Sequence, residues 1–145
     1  PSNPKKYKGD SQNIIYRSLW ERKFMNYCDL NENILEWASE EFWIPYLDPT
    51  TNRVRRYFPD FFIKYKDKDS NIRRSVIEVK PMRETLEPKA TKGKSRKTMI
   101  NESLTYVKNQ AKWKAAREFC DDRKLEFKIM TEKELGIRWV FYRTY

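Results

Sequence analysis

The sequence contains no histidine and only two cysteines, Cys28 and Cys120. Two thiols without a histidine cannot supply the ligands of an ordinary zinc site. The missing histidine also excludes the Ser-His-Asp and Cys-His arrangements of nucleophilic enzymes. We interpret the two cysteines as reduced thiols of small core residues, as in cytosolic proteins.

Long hydrophobic runs are missing as well. No apolar stretch approaches the roughly 20 residues that a membrane-spanning helix needs, so we expect no membrane partner and no signal peptide. The 145 residues correspond to one domain. Because 39% of the residues are hydrophobic and 15% are aromatic, we expect a folded core despite a charged fraction of 36%.

Positive charge is in excess, with a formal net charge of +10 and a pI of about 9.6. Such a surplus attracts polyanions and speeds encounter with them. Some soluble proteins are basic without binding nucleic acid. Here the charge accompanies aromatic residues and a basic cluster, and this combination favours a nucleic-acid partner.

The patterning divides the chain into three segments. Residues 1–13 contain proline, glycine, serine and three lysines without an apolar period, which predicts an extended basic arm. Residues 14–131 form the predicted core domain. Residues 132–145 form an aromatic tail, at whose start Thr131 and Glu134 have the spacing of a capping box.

Within the core, the element order is helix, three-strand meander, helix and strand (αβββαβ). Helical periodicity covers residues 14–29 and 100–122. Strand-like runs cover residues 34–39, 42–46, 53–65, 74–80 and 125–130, and Pro59 interrupts the third of them. We expect the first two runs to pair, and a parallel crossover through the second helix to return the last strand to the sheet. The fold class is therefore α/β (α+β), with a mixed central sheet flanked by helices.

Three charged residues interrupt otherwise apolar strands. Asp60 lies between Tyr57-Phe58-Pro59 and Phe61-Phe62-Ile63, and Glu78 lies within Ser75-Val76-Ile77 and Val79-Lys80. A carboxylate in such surroundings is costly unless it is paired or binds a metal. Two adjacent strands would bring both acids together, and Lys80 would point to the same face as Glu78.

Two neighbouring carboxylates repel each other unless a cation lies between them. Their hard oxygen atoms suit Mg²⁺ or Mn²⁺. Lys80 beside such an ion could orient the attacking water and neutralise a phosphate. A cross-strand salt bridge on a solvated face is the alternative. The clustering of ionisable groups in apolar runs favours a functional site.

Glu21 is a fourth candidate. It shares a helical stripe with Ile14, Ser18, Met25 and Cys28, where an acid has small and apolar neighbours. From there it could reach the metal directly or through a water molecule. The alternative is a capping box formed by Ser18 and Glu21 at the start of the helix.

Pro59-Asp60 followed by Glu78-Val79-Lys80, with Glu21 on an N-terminal helix, resembles the PD-(D/E)xK nuclease superfamily. The resemblance implies a restriction-endonuclease-like core. It also implies a metal ion held by Asp60, Glu78 and the carbonyl of Val79, with Lys80 catalytic and Glu21 in support.

The second helix and the segment before it supply candidate DNA contacts. In several nucleases of this superfamily, a glutamine or lysine on this helix approaches the metal-bound water or the DNA. Gln110, Lys114 and Arg117 share one face here, although a solvated helix face explains them equally well. Five basic residues could line a phosphate path or form a disordered loop: Lys89, Lys92, Lys94, Arg96 and Lys97.

Four further stretches are similar to the head completion nucleases of T-even-type tailed phages. These stretches are residues 3–9, 37–41, 44–46 and 109–116. The similarity implies action on packaged double-stranded DNA before head-tail joining, in the host cytoplasm or in the virion head or neck. It also implies capsid, portal or neck proteins as partners.

Two other functions remain open from the sequence. One is a structural DNA-binding component of the head or neck, supported by the basic surplus and the aromatic tail. The other is a junction-resolving or transposition-type endonuclease with the same fold. Trp139 and Phe141 could dock a partner, or they could belong to a last strand that packs on the core.

Overall fold

A computed structural model describes residues 3–10 and 19–135. The helices are α1 (Leu19–Leu30), α2 (Arg96–Asp122) and α3 (Glu132–Leu135). The strands are β1 (Ile34–Ser39), β2 (Ile44–Asp48), β3 (Arg53–Tyr57), β4 (Phe61–Lys66), β5 (Ile72–Val79) and β6 (Glu126–Met130). In the described part of the chain, no helix combines the length and apolar composition needed to cross a membrane.

A four-stranded mixed sheet in the order β1-β4-β5-β6 forms the centre of the molecule. β4 runs antiparallel to β1 and to β5, whereas β6 is parallel to β5. A parallel neighbour requires a crossover, and α2 provides it. The predicted return of the last strand through the second helix is therefore confirmed.

β2 and β3 form a separate two-stranded sheet. The predicted pairing of residues 34–39 with residues 42–46 is therefore wrong, because β1 pairs with β4. The different pairing arises at Pro59, which lacks the backbone N–H that a continuous ladder of β-sheet hydrogen bonds through residues 53–65 would need. The run of residues 53–65 breaks there into two strands. Its first half pairs with β2, and its second half joins the main sheet.

Two apolar clusters hold the layers together. The first lies between α1 and one face of the main sheet, and it includes Phe24, Trp37, Phe61 and Ile77. The second joins the β2–β3 hairpin to α2 through Ile44, Tyr46, Tyr57, Trp113 and Ala116. The hairpin and the long helix therefore share one core on the other side of the sheet.

The N-terminal segment departs from the expected extended arm. Pro4–Lys6 forms one turn of 3-10 helix, and the side chain of Tyr7 is buried. Tyr7 makes a parallel bridge with Trp37 of β1, and its hydroxyl donates to Glu41 Oε1 at 2.8 Å. A side chain at Gly9 would meet Glu41, since a Cβ there would lie 2.3 Å from Oε1. Residues 3–10 are therefore part of the folded domain.

The helix ends follow local capping chemistry. α2 begins at Arg96, earlier than the predicted residue 100, because the Ser95 hydroxyl accepts a hydrogen bond from the Thr98 amide at 3.1 Å. The predicted capping box at α3 is present, with the Thr131 amide donating to Glu134 Oε2 at 2.7 Å. The start of the first predicted helix at residues 14–18, and Trp139 and Phe141 of the tail, lie outside the described residues.

Trp113 is the largest side chain in the cluster between hairpin and helix, and only 2% of it is exposed. We expect Trp113→Ala to lower the free energy of unfolding by about 3–5 kcal/mol, because a buried indole is replaced by a cavity. Urea denaturation followed by circular dichroism measures the change. Lys114→Ala, at the exposed neighbouring position, is the control and should change stability by less than about 0.5 kcal/mol. A loss below about 1 kcal/mol for Trp113→Ala would contradict the assigned packing.

Candidate active site

The register of β4 and β5 brings two acids together. Phe61 lies opposite Ile77, and continuing the ladder by one residue places Asp60 opposite Glu78. Side chains of directly opposed residues project from the same face of a sheet. The Val79 amide donates to Asp60 Oδ2 at 2.8 Å, which fixes the first carboxylate beside the end of β5.

Glu78 is almost fully buried, with 4% of its surface exposed. Its Oε2 accepts a hydrogen bond from the hydroxyl of Tyr57, a buried residue at the end of β3. Burial, followed by the charge of Glu78, raises the pKa of Tyr57 well above its ordinary value. The phenol therefore stays protonated and acts as a fixed donor to the acid.

The charge of Glu78 disfavours the ionisation of Asp60, whereas a hydrogen bond with Asp60 lowers the pKa of Glu78. The pKa of Asp60 is raised to about 8, chiefly by burial and then by the charges of Glu78 and Glu21. Burial also raises the pKa of Glu78, against the opposing effects of Tyr57 and Lys80. With no cation between them, we infer that the pair holds one proton near neutral pH.

Lys80 lies where strand alternation predicted it. Its Nζ is 3.8 Å from Glu78 Oε1, and its side chain is half-buried. The Lys80 amide donates to the carbonyl oxygen of Met130 at 2.9 Å, which extends the β5–β6 ladder to this position. Asp60, Glu78 and Lys80 therefore meet at one point, where β4 begins and β5 ends.

Sequence reasoning missed Lys112 of α2. Its Nζ lies 5.8 Å from the ring centre of Tyr46 and 5.7 Å from that of Tyr57. Burial is the largest cause that lowers the pKa of Lys112, and the charge of Glu78 opposes it. A signal was available, because Asn109 and Ala116 are buried one turn to either side. A lysine at the edge of a buried helical stripe is a candidate for a specific role.

These residues line an open cleft of about 480 Å³. The complete lining consists of Glu40, Arg56, Tyr57, Phe58, Asp60, Glu78, Lys80 and Lys112. The acids Asp60 and Glu78 lie at the sheet, and three cations surround them. Such a cleft can hold a cation between its acids and an anion against its lysines.

Glu21 lies in the first turn of α1. Its charge contributes to the raised pKa of Asp60, so it belongs to the electrostatic surroundings of the pair. It is not among the residues that line the cleft. The capping alternative depends on Ser18, which lies outside the described residues.

The predicted DNA contacts on α2 do not line the cleft. Gln110 is half-buried and Lys114 is exposed, while the Arg117 guanidinium lies 6.0 Å from the ring centre of Phe127. The five basic residues from Lys89 to Lys97 are all exposed and also lie outside the cleft. Lys94 contacts the Lys89 carbonyl oxygen at 2.9 Å and Glu102 at 2.8 Å.

The oxygen donors in the cleft are carboxylate oxygens, which are hard ligands. Within residues 3–10 and 19–135, no group of three or more His, Cys, Asp or Glu side chains is arranged to hold a metal. Three carboxylate side chains line the cleft, those of Glu40, Asp60 and Glu78, and a cation would relieve the repulsion between the last two. Hard oxygen donors with places left for water are typical of Mg²⁺ sites. The residues present therefore fit Mg²⁺ or Mn²⁺ better than a soft metal.

Comparison with known proteins gives two results. Residues 31–132 match a protein family described as TnsA-like endonuclease N terminal. The chain is also 38% identical over 138 residues to the head completion nuclease of Enterobacteria phage T4, and the match covers 93% of this chain and 89% of that protein. The family match spans β1 to β6, and it agrees with the predicted PD-(D/E)xK core.

The pKa shift at Asp60 predicts how stability depends on pH without metal. An ordinary aspartate titrates near pH 4 in the unfolded chain, whereas the pKa of folded Asp60 is about 8. The folded state is therefore favoured below pH 4 and loses this advantage as the pH rises through about 8. We expect Asp60→Asn to raise the melting temperature at about pH 8.5 by at least about 3 °C, the effect of roughly 1 kcal/mol.

Thermal unfolding with a chelator at about pH 4.5 and about pH 8.5 measures this effect. Near pH 4.5 the gain should disappear, because the native carboxyl is then protonated. Asp69→Asn, at an exposed turn position, is the control and should leave both melting temperatures unchanged. An Asp60→Asn variant that melts no higher than the parent at about pH 8.5 would rule out the strained carboxyl pair.

Proposed function

Because the chain belongs to the TnsA-like endonuclease N-terminal family, we propose that it is a metal-dependent nuclease that hydrolyses DNA phosphodiester bonds in the cleft at Asp60 and Glu78. The single observation that carries the proposal is the meeting of the buried Glu78 and the half-buried Asp60 with Lys80 and Lys112. Glu78 and Lys112 belong to β5 and α2, while Asp60 directly precedes β4 and Lys80 directly follows β5.

Asp60 and Glu78 would hold the Mg²⁺ or Mn²⁺ ion, with the Val79 carbonyl as a further ligand. When bound, a divalent ion supplies Lewis-acid activation of water and of the phosphate. Tyr57 holds Glu78 in place through its hydroxyl, and the Val79 amide does the same for Asp60. The protein therefore presents both carboxylates in fixed positions before substrate arrives.

Lys80 and Lys112 are the candidates for handling charge on the phosphate. Lys80 lies within 4 Å of Glu78, at 3.8 Å, and is therefore close enough to orient a water molecule beside the acid. Lys112 reaches the same cleft from α2, on the side of Tyr46 and Tyr57. Two cations that approach from different elements can stabilise the charge that develops on a transferred phosphoryl group.

The substrate and the setting follow from charge and from similarity. A net charge of +10 favours a polyanion, and the long-range attraction would bring DNA to the cleft. The T4 relative is named a head completion nuclease. We infer that this chain acts in the same step of phage assembly, on double-stranded DNA at the head, with capsid, portal or neck proteins as neighbours. The exposed cations from Lys89 to Lys97 would then contact DNA outside the cleft, as would Lys114 and Arg117.

Removal of either central group should abolish cleavage. We expect Glu78→Gln and Lys80→Met each to lower Mg²⁺- or Mn²⁺-dependent cleavage of plasmid DNA by at least about 100-fold, because each loses one charge that the reaction needs. Gel analysis of nicked and linear products against time measures the loss. Glu118→Gln and Lys66→Met are the matched controls, since both residues are exposed and lie outside the cleft.

Two results would refute this assignment. One is full cleavage by the Glu78→Gln variant. The other is equal loss in the matched controls, which would show that the surface charge matters and the cleft does not. If the parent protein binds DNA tightly but cleaves none with either metal, the structural DNA-binding role is supported instead.

Lys112 gives an independent test of the site. We expect Lys112→Met to lower kcat/KM about 10- to 100-fold while the melting temperature stays within about 2 °C, because methionine keeps the contact with the tyrosine rings and loses only the charge. Lys108→Met is the control, one turn away, where the lysine faces Asp48 at 3.7 Å. Equal activity of Lys112→Met and the parent protein would remove this residue from the mechanism.

A further inference from the structure

Two side chains form the outer rim of the cleft on the hairpin side, and a third packs against one of them. Phe58 and Arg56 both line the cleft, and the Arg56 guanidinium lies 5.0 Å from the ring centre of Trp43. Phe58 is 43% exposed and Trp43 is 46% exposed. We call Trp43, Arg56 and Phe58 the aromatic rim.

The exposure of this rim is unusual for the molecule. Among the aromatic residues within 3–10 and 19–135, only Tyr27, Trp43 and Phe58 are exposed. Two of the three belong to the rim of the cleft that holds the carboxylate pair. Exposed aromatic rings beside a cationic cleft are a recurrent feature of sites that stack nucleobases.

Chain geometry places the rim next to the proposed reaction centre. Phe58 precedes Asp60 by two residues, which is a span of roughly 7 Å along an extended chain. Arg56 lies two residues before Phe58, opposite Pro45 on the outward face of the hairpin. A phosphate near Asp60 would therefore have its own or an adjacent base within reach of the Phe58 ring.

We propose that the aromatic rim is a stacking platform for one unpaired nucleobase beside the scissile phosphate. Within the double-stranded DNA of the proposed function, cleavage would then favour points where a base is unpaired, such as a single-stranded tail, a gap or a frayed end. The proposal rests on the proposed nuclease function, and it specifies the substrate class of that site. A paired base inside a duplex is covered on both faces by its neighbours, whereas an unpaired base offers a free face to the ring.

A protein partner fits the same surface less well. Charged groups dominate the cleft that the rim borders, and the Arg56 guanidinium lies over the Trp43 ring. A guanidinium and a flat ring together suit a nucleotide, which carries both a phosphate and a π-face. The occupant favoured by the cleft is therefore a nucleotide.

Equilibrium binding without metal tests the platform. Fluorescence anisotropy with EDTA would compare a single-stranded oligonucleotide with versions that carry an abasic residue at each position in turn. For the parent protein we expect about tenfold weaker binding at one position, the effect of losing one base–aromatic stack. Phe58→Leu should bind the intact oligonucleotide about tenfold more weakly and should show no abasic penalty.

Matched variants separate stacking from folding. Phe58→Tyr keeps a ring and should keep the abasic penalty. Val54→Ala changes a side chain on the same hairpin that is 72% exposed and lies outside the cleft, so it should behave like the parent protein. Thermal unfolding of every variant checks that the hairpin stays in place.

Two results would overturn the platform. One is an abasic penalty that survives in both Phe58→Leu and Trp43→Leu. The other is a closed duplex that competes as well as the single strand for the parent protein. Since binding is measured without metal, a failed cleavage assay does not affect this test. If Glu78-dependent cleavage is present and the abasic penalty is independent of the rim, only the platform is wrong.

Discussion

The repulsion between the Asp60 and Glu78 carboxylates is the constraint on which the rest of the site depends. Burial makes this repulsion strong, because little water is present to screen it. The fold tolerates it through the Val79 amide, the Tyr57 hydroxyl and the charges of Lys80 and Lys112. These groups stabilise the pair only in part, since the pKa of both acids remains raised. The divalent cation of the proposed function would relieve the repulsion that remains.

Pro59 links this site to the architecture. Pro59 ends the hydrogen-bond ladder after Tyr57, so the residues before it and the residues after it belong to different sheets. β3 pairs with β2 in the hairpin that packs on α2, and β4 joins the main sheet. Tyr57, at the end of β3, therefore donates its hydroxyl hydrogen bond to Glu78 from the hairpin. Asp60 reaches Glu78 from the first position before β4. The apolar cluster around Trp113 holds α2, which carries Lys112, against the β2–β3 hairpin. The packing of this cluster therefore sets the distance between Lys112 and the hairpin side of the cleft.

The sequence predicts the centre of the site better than its surroundings. The meeting of Asp60, Glu78 and Lys80 follows from strand alternation and one hairpin, both of which are local. The pairing of β1 with β4 could not be predicted, because it depends on which of two competing edges a strand joins. Lys112 was missed for a similar reason, since it reaches the cleft only through the packing of α2 on the hairpin. Gln110 and Lys114, chosen from the same helix, show that helical periodicity alone does not identify the inward face.

The N-terminal residues have a consequence for how this protein behaves among many copies of itself. β1 is an outer strand of the main sheet. The chain around Tyr7 and Lys8 lies along the side of β1 that faces away from β4, where the Lys8 amide donates to the Trp37 carbonyl oxygen at 2.7 Å. An uncovered outer strand would offer its backbone to any neighbour. The short segment that packs against Trp37 thus also prevents a second molecule from pairing with β1 along that side.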